Sequence, residues 1–84
     1  MLTLKIISPE KIIYQGEAES VLVPGTKGSF EILTDHAPII SSLEPGKLEY
    51  ADKDGKHQLM VNGGFVEVKK NQVAVCVELP EAAE

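Results

Sequence analysis

The chain has no arginine and one cysteine, Cys76, and it holds no apolar run approaching the length of a membrane span. Without a guanidinium there is no two-point grip on a phosphate or carboxylate. The eight lysines are outweighed by thirteen acidic residues, for a net charge of −5. Phosphate backbones are bound by clustered cations, so no nucleic-acid partner is expected. A single cysteine forms no internal disulfide, whereas secreted domains of this size commonly carry several. No charged start leads into an apolar stretch, so no signal peptide is expected. A span needs about 18–20 apolar residues in succession. These absences predict a soluble protein in a reducing compartment, with any membrane contact made indirectly through a protein partner. Helical periodicity is also missing from every stretch of about ten residues.

What the chain does have is alternation with a period of two. Leu2, Leu4 and Ile6 alternate with Thr3 and Lys5, the pattern of a half-buried strand. Ile12-Ile13-Tyr14 opens a second strand, which Gly16 interrupts as a bulge would and Ser20–Val23 resumes. Ile39-Ile40 starts a run that ends at Glu44-Pro45-Gly46, read as a turn. Leu48 and Tyr50, then Leu59 and Val61, then Val66 and Val68 continue the alternation. Asp52-Lys53-Asp54-Gly55 reads as a hairpin tip, Asn62-Gly63-Gly64 as a sharp bend or bulge, and Lys70-Asn71 as a tight turn. In the last strand Val73, Val75, Val77 and Leu79 share a face, and Cys76 is read as a small core-side or inter-sheet residue. Roughly eight to ten short strands with regular turns predict an all-β fold, an antiparallel β-sandwich or flattened barrel. The expected organisation is one domain over residues 1–80 and a short acidic tail over 81–84. A chain this short buries about 60–65% of its unfolded surface, a thin but adequate core.

The stretch that departs from plain alternation is 24–38, punctuated by Pro24-Gly25, Gly28 and Asp35-His36-Ala37-Pro38. A shaped loop on a rigid scaffold is a usual carrier of function. Asp35 and His36 invite an acid–base reading, but neighbours on an extended chain point to opposite sides. His36, His57 and Cys76 have no metal-site spacing, and Asp52-Lys53-Asp54-Gly55 lacks the twelve-residue frame of a calcium loop. Gly25-Thr26-Lys27-Gly28-Ser29 lacks the order of a phosphate loop. No catalytic residue, cofactor, metal or small-molecule ligand is therefore expected. The competing reading is a lipoyl- or biotinyl-type carrier with Lys53 as the modified lysine, although neither carrier motif surrounds it.

Four stretches, in order and spacing, resemble the epsilon subunit of F-type ATP synthases. They are Ile7–Gly16, Val21–Pro38, Leu43-Glu44-Pro45-Gly46 and Val61-Asn62-Gly63-Gly64-Phe65-Val66-Glu67-Val68. The resemblance implies a β-sandwich of two five-stranded sheets. It implies a non-catalytic rotor subunit of the proton-translocating enzyme, docked on the gamma subunit and on the ring of c subunits. Ser29, Phe30, Glu31, His36, Ala37 and Pro38 would face the ring, with Glu31 supplying an acidic charge that relatives often carry at the position of Ser29. Ser8 and Ser41 would lie near gamma, with Ile40 in an apolar patch beside His36-Ala37-Pro38. The implied location is the cytoplasmic face of a bacterial inner membrane, or the equivalent side of another energy-transducing membrane. Most members continue into a two-helix hairpin that restrains hydrolysis, and this sequence reaches Glu84 before such helices.

Overall fold

Leu2, Leu4 and Ile6 are fully buried while Thr3 and Lys5 stand in solvent, so the first strand turns one face wholly inward. The same alternation builds seven strands in a computed structural model that describes residues 1–80. They are β1 (Leu2–Ile7), β2 (Ile12–Ala18), β3 (Ser20–Val23), β4 (Phe30–Leu33), β5 (Ile39–Asp52), β6 (Gly55–Lys69) and β7 (Gln72–Val77). Hydrogen bonding joins them in the order β2-β1-β7-β6-β5-β3-β4. The acidic tail expected over 81–84 lies outside the described residues.

Two long strands turn this one sheet into two layers. β5 and β6 pair without a slip from Ile39↔Val68 to Asp52↔Gly55, yet both change the face they bury. In β5 the inward residues pass from Ile39, Ser41 and Leu43 to Gly46, Leu48 and Tyr50. In β6 they pass from Leu59 and Val61 to Val66 and Val68. The change falls at Gly63 and Gly64, with φ of 104° and 145°, in the left-handed half of the map that glycine enters freely. One layer is β2, β1, β7, the second half of β6 and the first half of β5. The other is the remaining halves of β6 and β5 with β3 and β4. Their inner faces meet in one core, where Val66, Val75 and Ile6 face Val21, Ile32 and Leu48. Tyr14 of β2 closes one open side against Tyr50 of β5, ring centroids 4.5 Å apart. The smallest extent is 19 Å, which fits two layers about 10 Å apart.

The all-β sandwich is therefore borne out, with particular differences. Seven strands replace eight to ten because β5 and β6 each serve both layers. β1 and β7 run parallel, against an expectation of antiparallel pairing throughout; alternation carries no direction. Glu44-Pro45-Gly46 is not a turn but the middle of β5, at the crossing between layers. There the Glu44 N–H leaves the ladder and donates to the Pro24 carbonyl at 2.9 Å, and proline brings no donor to be stranded. Gly16 pairs regularly with Leu4, and the register shift lies instead between Ile6 and Ile7. A Cβ at Gly16 would stand 3.0 Å from the Tyr14 hydroxyl, so glycine here makes room for the closing ring. Cys76 lies on the outward face of β7, half-buried, while Val75 and Val77 point inward.

Candidate functional site

Residues 24–30 lie against the first half of β5. Gly28 N–H donates to the Gly25 carbonyl at 2.9 Å, and Thr26 N–H to the Ser42 carbonyl at 3.1 Å. Gly25 is buried, and a Cβ there would come within 2.9 Å of the Phe30 ring and 2.8 Å of the Gly28 carbonyl oxygen. The missing side chain lets the aromatic ring roof the loop. Ser29 and Glu31 are exposed on either side of the half-buried Phe30.

After β4 the chain turns at once. His36 N–H donates to the Leu33 carbonyl at 3.1 Å, and its ring lies 6.3 Å from that of Phe30. His36 Nδ1 donates to the Ala37 carbonyl at 2.7 Å. The Asp35 carboxylate meets Asn71 instead of His36. Ser29, Phe30, Glu31, His36, Ala37 and Pro38 are thus gathered about the two ends of β4.

The residues expected to face gamma are placed differently. Ile40 is 73% exposed on the outward face, opposite Glu67. Ser41, its neighbour on the strand, has the core-facing parity of its partner Val66 and is half-buried. Ser8 stands across the layer, in the turn after β1, its N–H donating to the Lys11 carbonyl at 2.9 Å. Between them Ile7, Cys76, Phe65 and Ser42 are successive cross-strand partners on the outward face. Phe65, 46% exposed, belongs to this face and carries no assignment in the sequence reading. Its signal was available: a large aromatic stands out of phase with Val66 and Val68. Ile40, Phe65, Cys76 and Ile7 form an apolar band across the five-stranded layer.

A second cluster sits at the far end of β5 and β6. His57 Nε2 donates to Asp52 Oδ1 at 3.0 Å, and the Asp54 N–H donates to the same oxygen at 2.8 Å. The His57 ring lies 5.0 Å from that of Tyr50. The hydrogen bond from His57, joined by the Asp54 N–H, holds the Asp52 carboxyl below its ordinary value of 3.8 against the opposing effect of burial. Burial, with the Asp52 charge nearby, raises the phenols of Tyr14 and Tyr50 above 10.0. A carboxylate with a depressed folded pKa contributes stability that is present above its unfolded value and lost as pH falls through the folded one. Asp52→Asn should therefore lower stability at pH 6 and leave it nearly level with the parent by pH 2. Denaturant unfolding of both proteins at the two pH values measures this; an equal gap at both would show that Asp52 acts through packing alone. Lys53 stands at the tip of this hairpin.

The family profile described as the ATP synthase delta/epsilon chain β-sandwich domain matches residues 1–83. The ATP synthase epsilon chain of Leptospira borgpetersenii serovar Hardjo-bovis is 44% identical over 77 residues, which cover 92% of this chain and 61% of that one. The epsilon chain of Anaeromyxobacter sp. strain K is 39% identical over 82 residues, covering 98% of this chain and 62% of that one. The chain thus spans about three-fifths of the length of these curated relatives. Among solved structures, a chain of the Euglena gracilis mitochondrial ATP synthase OSCP/F1/c-ring assembly superposes with a TM-score of 0.84. It is 24% identical, and the match covers 90% of this chain and 49% of that one. A chain of the Tetrahymena thermophila mitochondrial ATP synthase central stalk and c-ring gives 0.78 at 19% identity, over 92% of this chain and 63% of that one. Both show the same fold. The comparisons lend no support to a carrier role for Lys53.

Proposed function

Because the chain belongs to the β-sandwich family of ATP synthase delta/epsilon chains, we propose that it is a central-stalk subunit of the F-type enzyme. It docks on gamma and on the c-ring and passes ring rotation to the stalk. The c-ring carries the protons and the beta subunits carry the nucleotide chemistry; this chain supplies a stiff coupling piece. It is peripheral to the membrane, on the side where the catalytic head lies, and its sandwich over 1–80 is the docking domain. The ring-facing residues are Ser29, Phe30, Glu31, His36, Ala37 and Pro38. The gamma-facing residues are Ile40 with Ser8 and Ser41, and Phe65 joins them on the apolar band.

The observation that carries this reading is Ile40: a branched apolar side chain, 73% exposed, continued by Phe65 at 46% across the same face. Apolar anchors of this kind, ringed by polar residues, supply most of the affinity at protein interfaces. A carboxylate in place of such an anchor is buried unpaired on docking, which weakens binding by about two orders of magnitude or more. Ile40→Asp should therefore abolish co-elution with gamma while its circular dichroism spectrum and Tm stay those of the parent. Met60→Asp, exposed in the other half of β6, should co-elute as the parent does. Binding by Ile40→Asp would remove the band from the interface. Failure of the unaltered chain to bind gamma, with both partners folded, would overturn the stalk reading.

A further inference from the structure

Among the described residues, three other than glycine have positive φ: Asp35 at 67°, Lys70 at 52° and Asn71 at 61°. Such backbone is disfavoured for side-chain-bearing residues, and Asp and Asn are among those that tolerate it best. Two of the three hold each other. The Asp35 N–H donates to Asn71 Oδ1 at 2.6 Å, and Asn71 Nδ2 donates to Asp35 Oδ1 at 3.1 Å. The two bonds together fix the orientation of the Asn71 amide, since a flipped group would set its NH2 against the Asp35 N–H.

The topology explains the meeting. Ile39 pairs with Val68, so the chain entering β5 and the chain leaving β6 lie at the same end of the layer. Lys70 and Asn71 are the two-residue turn between the paired Lys69 and Gln72; two successive positive φ values are the type I′ geometry. The Asn71 carbonyl also accepts the Thr3 N–H at 2.8 Å, which ties the turn to β1. Asn71 is thus anchored by its backbone to the rigid layer and reaches with its side chain to a loop 36 residues earlier. That loop carries His36, Ala37 and Pro38.

We propose that Asn71 is the positioning residue of the 34–38 loop, holding it in the conformation that docks on the rotor. The inference rests on the reading of that loop as a docking segment. A docking loop that samples several conformations binds with an affinity reduced by the fraction of time it spends in the competent one. Loss of two exposed hydrogen bonds should lower that fraction by about five- to thirtyfold.

Asn71→Gly separates the clamp from the turn, because glycine takes φ near 61° without strain and a type I′ turn accepts it readily. Relief of the positive φ offsets part of the lost bonding, so the full chain should lose no more than a few degrees of Tm in the variant. The Asp35 amide should exchange with solvent at least about tenfold faster by NMR. Affinity for a gamma–c-ring rotor stripped of this subunit should fall by the same five- to thirtyfold. The exchange of partners, Asp35→Asn with Asn71→Asp, places both donors, the backbone N–H and the side-chain amide, at position 35 and both accepting oxygens at position 71, so two bonds can still form and both readings should be restored. Unchanged Asp35 exchange in Asn71→Gly would show that no clamp operates in solution and overturn the proposal. Faster exchange with undiminished affinity would overturn it too, by showing that the loop conformation does not govern docking. If the unaltered, folded chain fails to bind the rotor, the stalk reading itself has failed, and that result is visible without any variant.

Discussion

Gly64→Ala is expected to lower the Tm of the domain by about 12–24 °C. A Cβ on Gly64 would stand 2.0 Å from the Cys76 carbonyl oxygen and 2.8 Å from Val77 Cα. Both are backbone atoms, so no rotamer change relieves the contact, and β6 and β7 must separate where Gly64 pairs with Val77. Just beyond, the Asn62 N–H donates to Glu78 at 2.6 Å and the Glu78 N–H to Gly63 at 3.0 Å, and both bonds depend on that close approach. The φ of 145° adds strain for any L side chain. We expect about 3 kcal/mol or more in all, from a domain whose total stability should be about 4–13 kcal/mol. Gly55→Ala is the control: its φ is 120°, but no atom lies within 4 Å of the added Cβ, so strain alone should cost about 1 kcal/mol. Denaturant unfolding of the two variants beside the parent decides it. Equal losses would mean that the close packing of β6 on β7 contributes nothing to the effect.

The same crossing shows what the sequence could and could not convey. Alternation at Leu2, Leu4 and Ile6, or at Val73, Val75 and Val77, is set by the pleat and is read directly from the chain. Asn62-Gly63-Gly64 announced a bend because glycine has few other reasons to be paired in a strand. Pro45-Gly46 announced a turn for similar reasons and gave none. Pro45 and Gly46 pair with Asn62 and Val61 of β6, and the Glu44 N–H just before them is taken by Pro24, which belongs to another part of the chain. The parallel pairing of β1 with β7 is also invisible, since alternation is the same read in either direction. At the candidate site, Phe30 and His36 could be named from the loop that holds them, but Asn71 could not. A lysine–asparagine turn is legible locally; a partner 36 residues away becomes visible only when the register of β5 on β6 is known.

The end of the molecule that carries the residues proposed to face the ring is held to the core chiefly through Ile32, and Ile32→Ala should expose that dependence. β4 is four residues long and lies at the sheet edge, paired with β3 from Ser20↔Leu33 to Val23↔Phe30. Ladder bonds at an edge exchange readily with bonds to water and contribute about 1 kcal/mol each at most. Of its four side chains, Glu31 and Leu33 point outward, Phe30 is half-buried and Ile32 is fully buried. Removing the Ile32 side chain beyond Cβ should cost about 2–4 kcal/mol, the usual range for a buried aliphatic reduced to alanine. The loss should be uneven. The amides of Glu31 and Leu33 should lose protection before those of β6 and β7, because the edge strand can detach without opening the rest of the core. Ser29, Phe30 and Glu31 would then no longer be presented in one arrangement, and rotor affinity should fall even at temperatures where the domain remains folded. Ile32→Val, which keeps most of the volume, should cost about 1 kcal/mol and preserve docking. Hydrogen exchange resolved by residue, measured beside rotor binding, separates the outcomes. An Ile32→Ala chain with a frayed β4 and undiminished rotor affinity would move the ring contact off this strand and onto His36-Ala37-Pro38 alone.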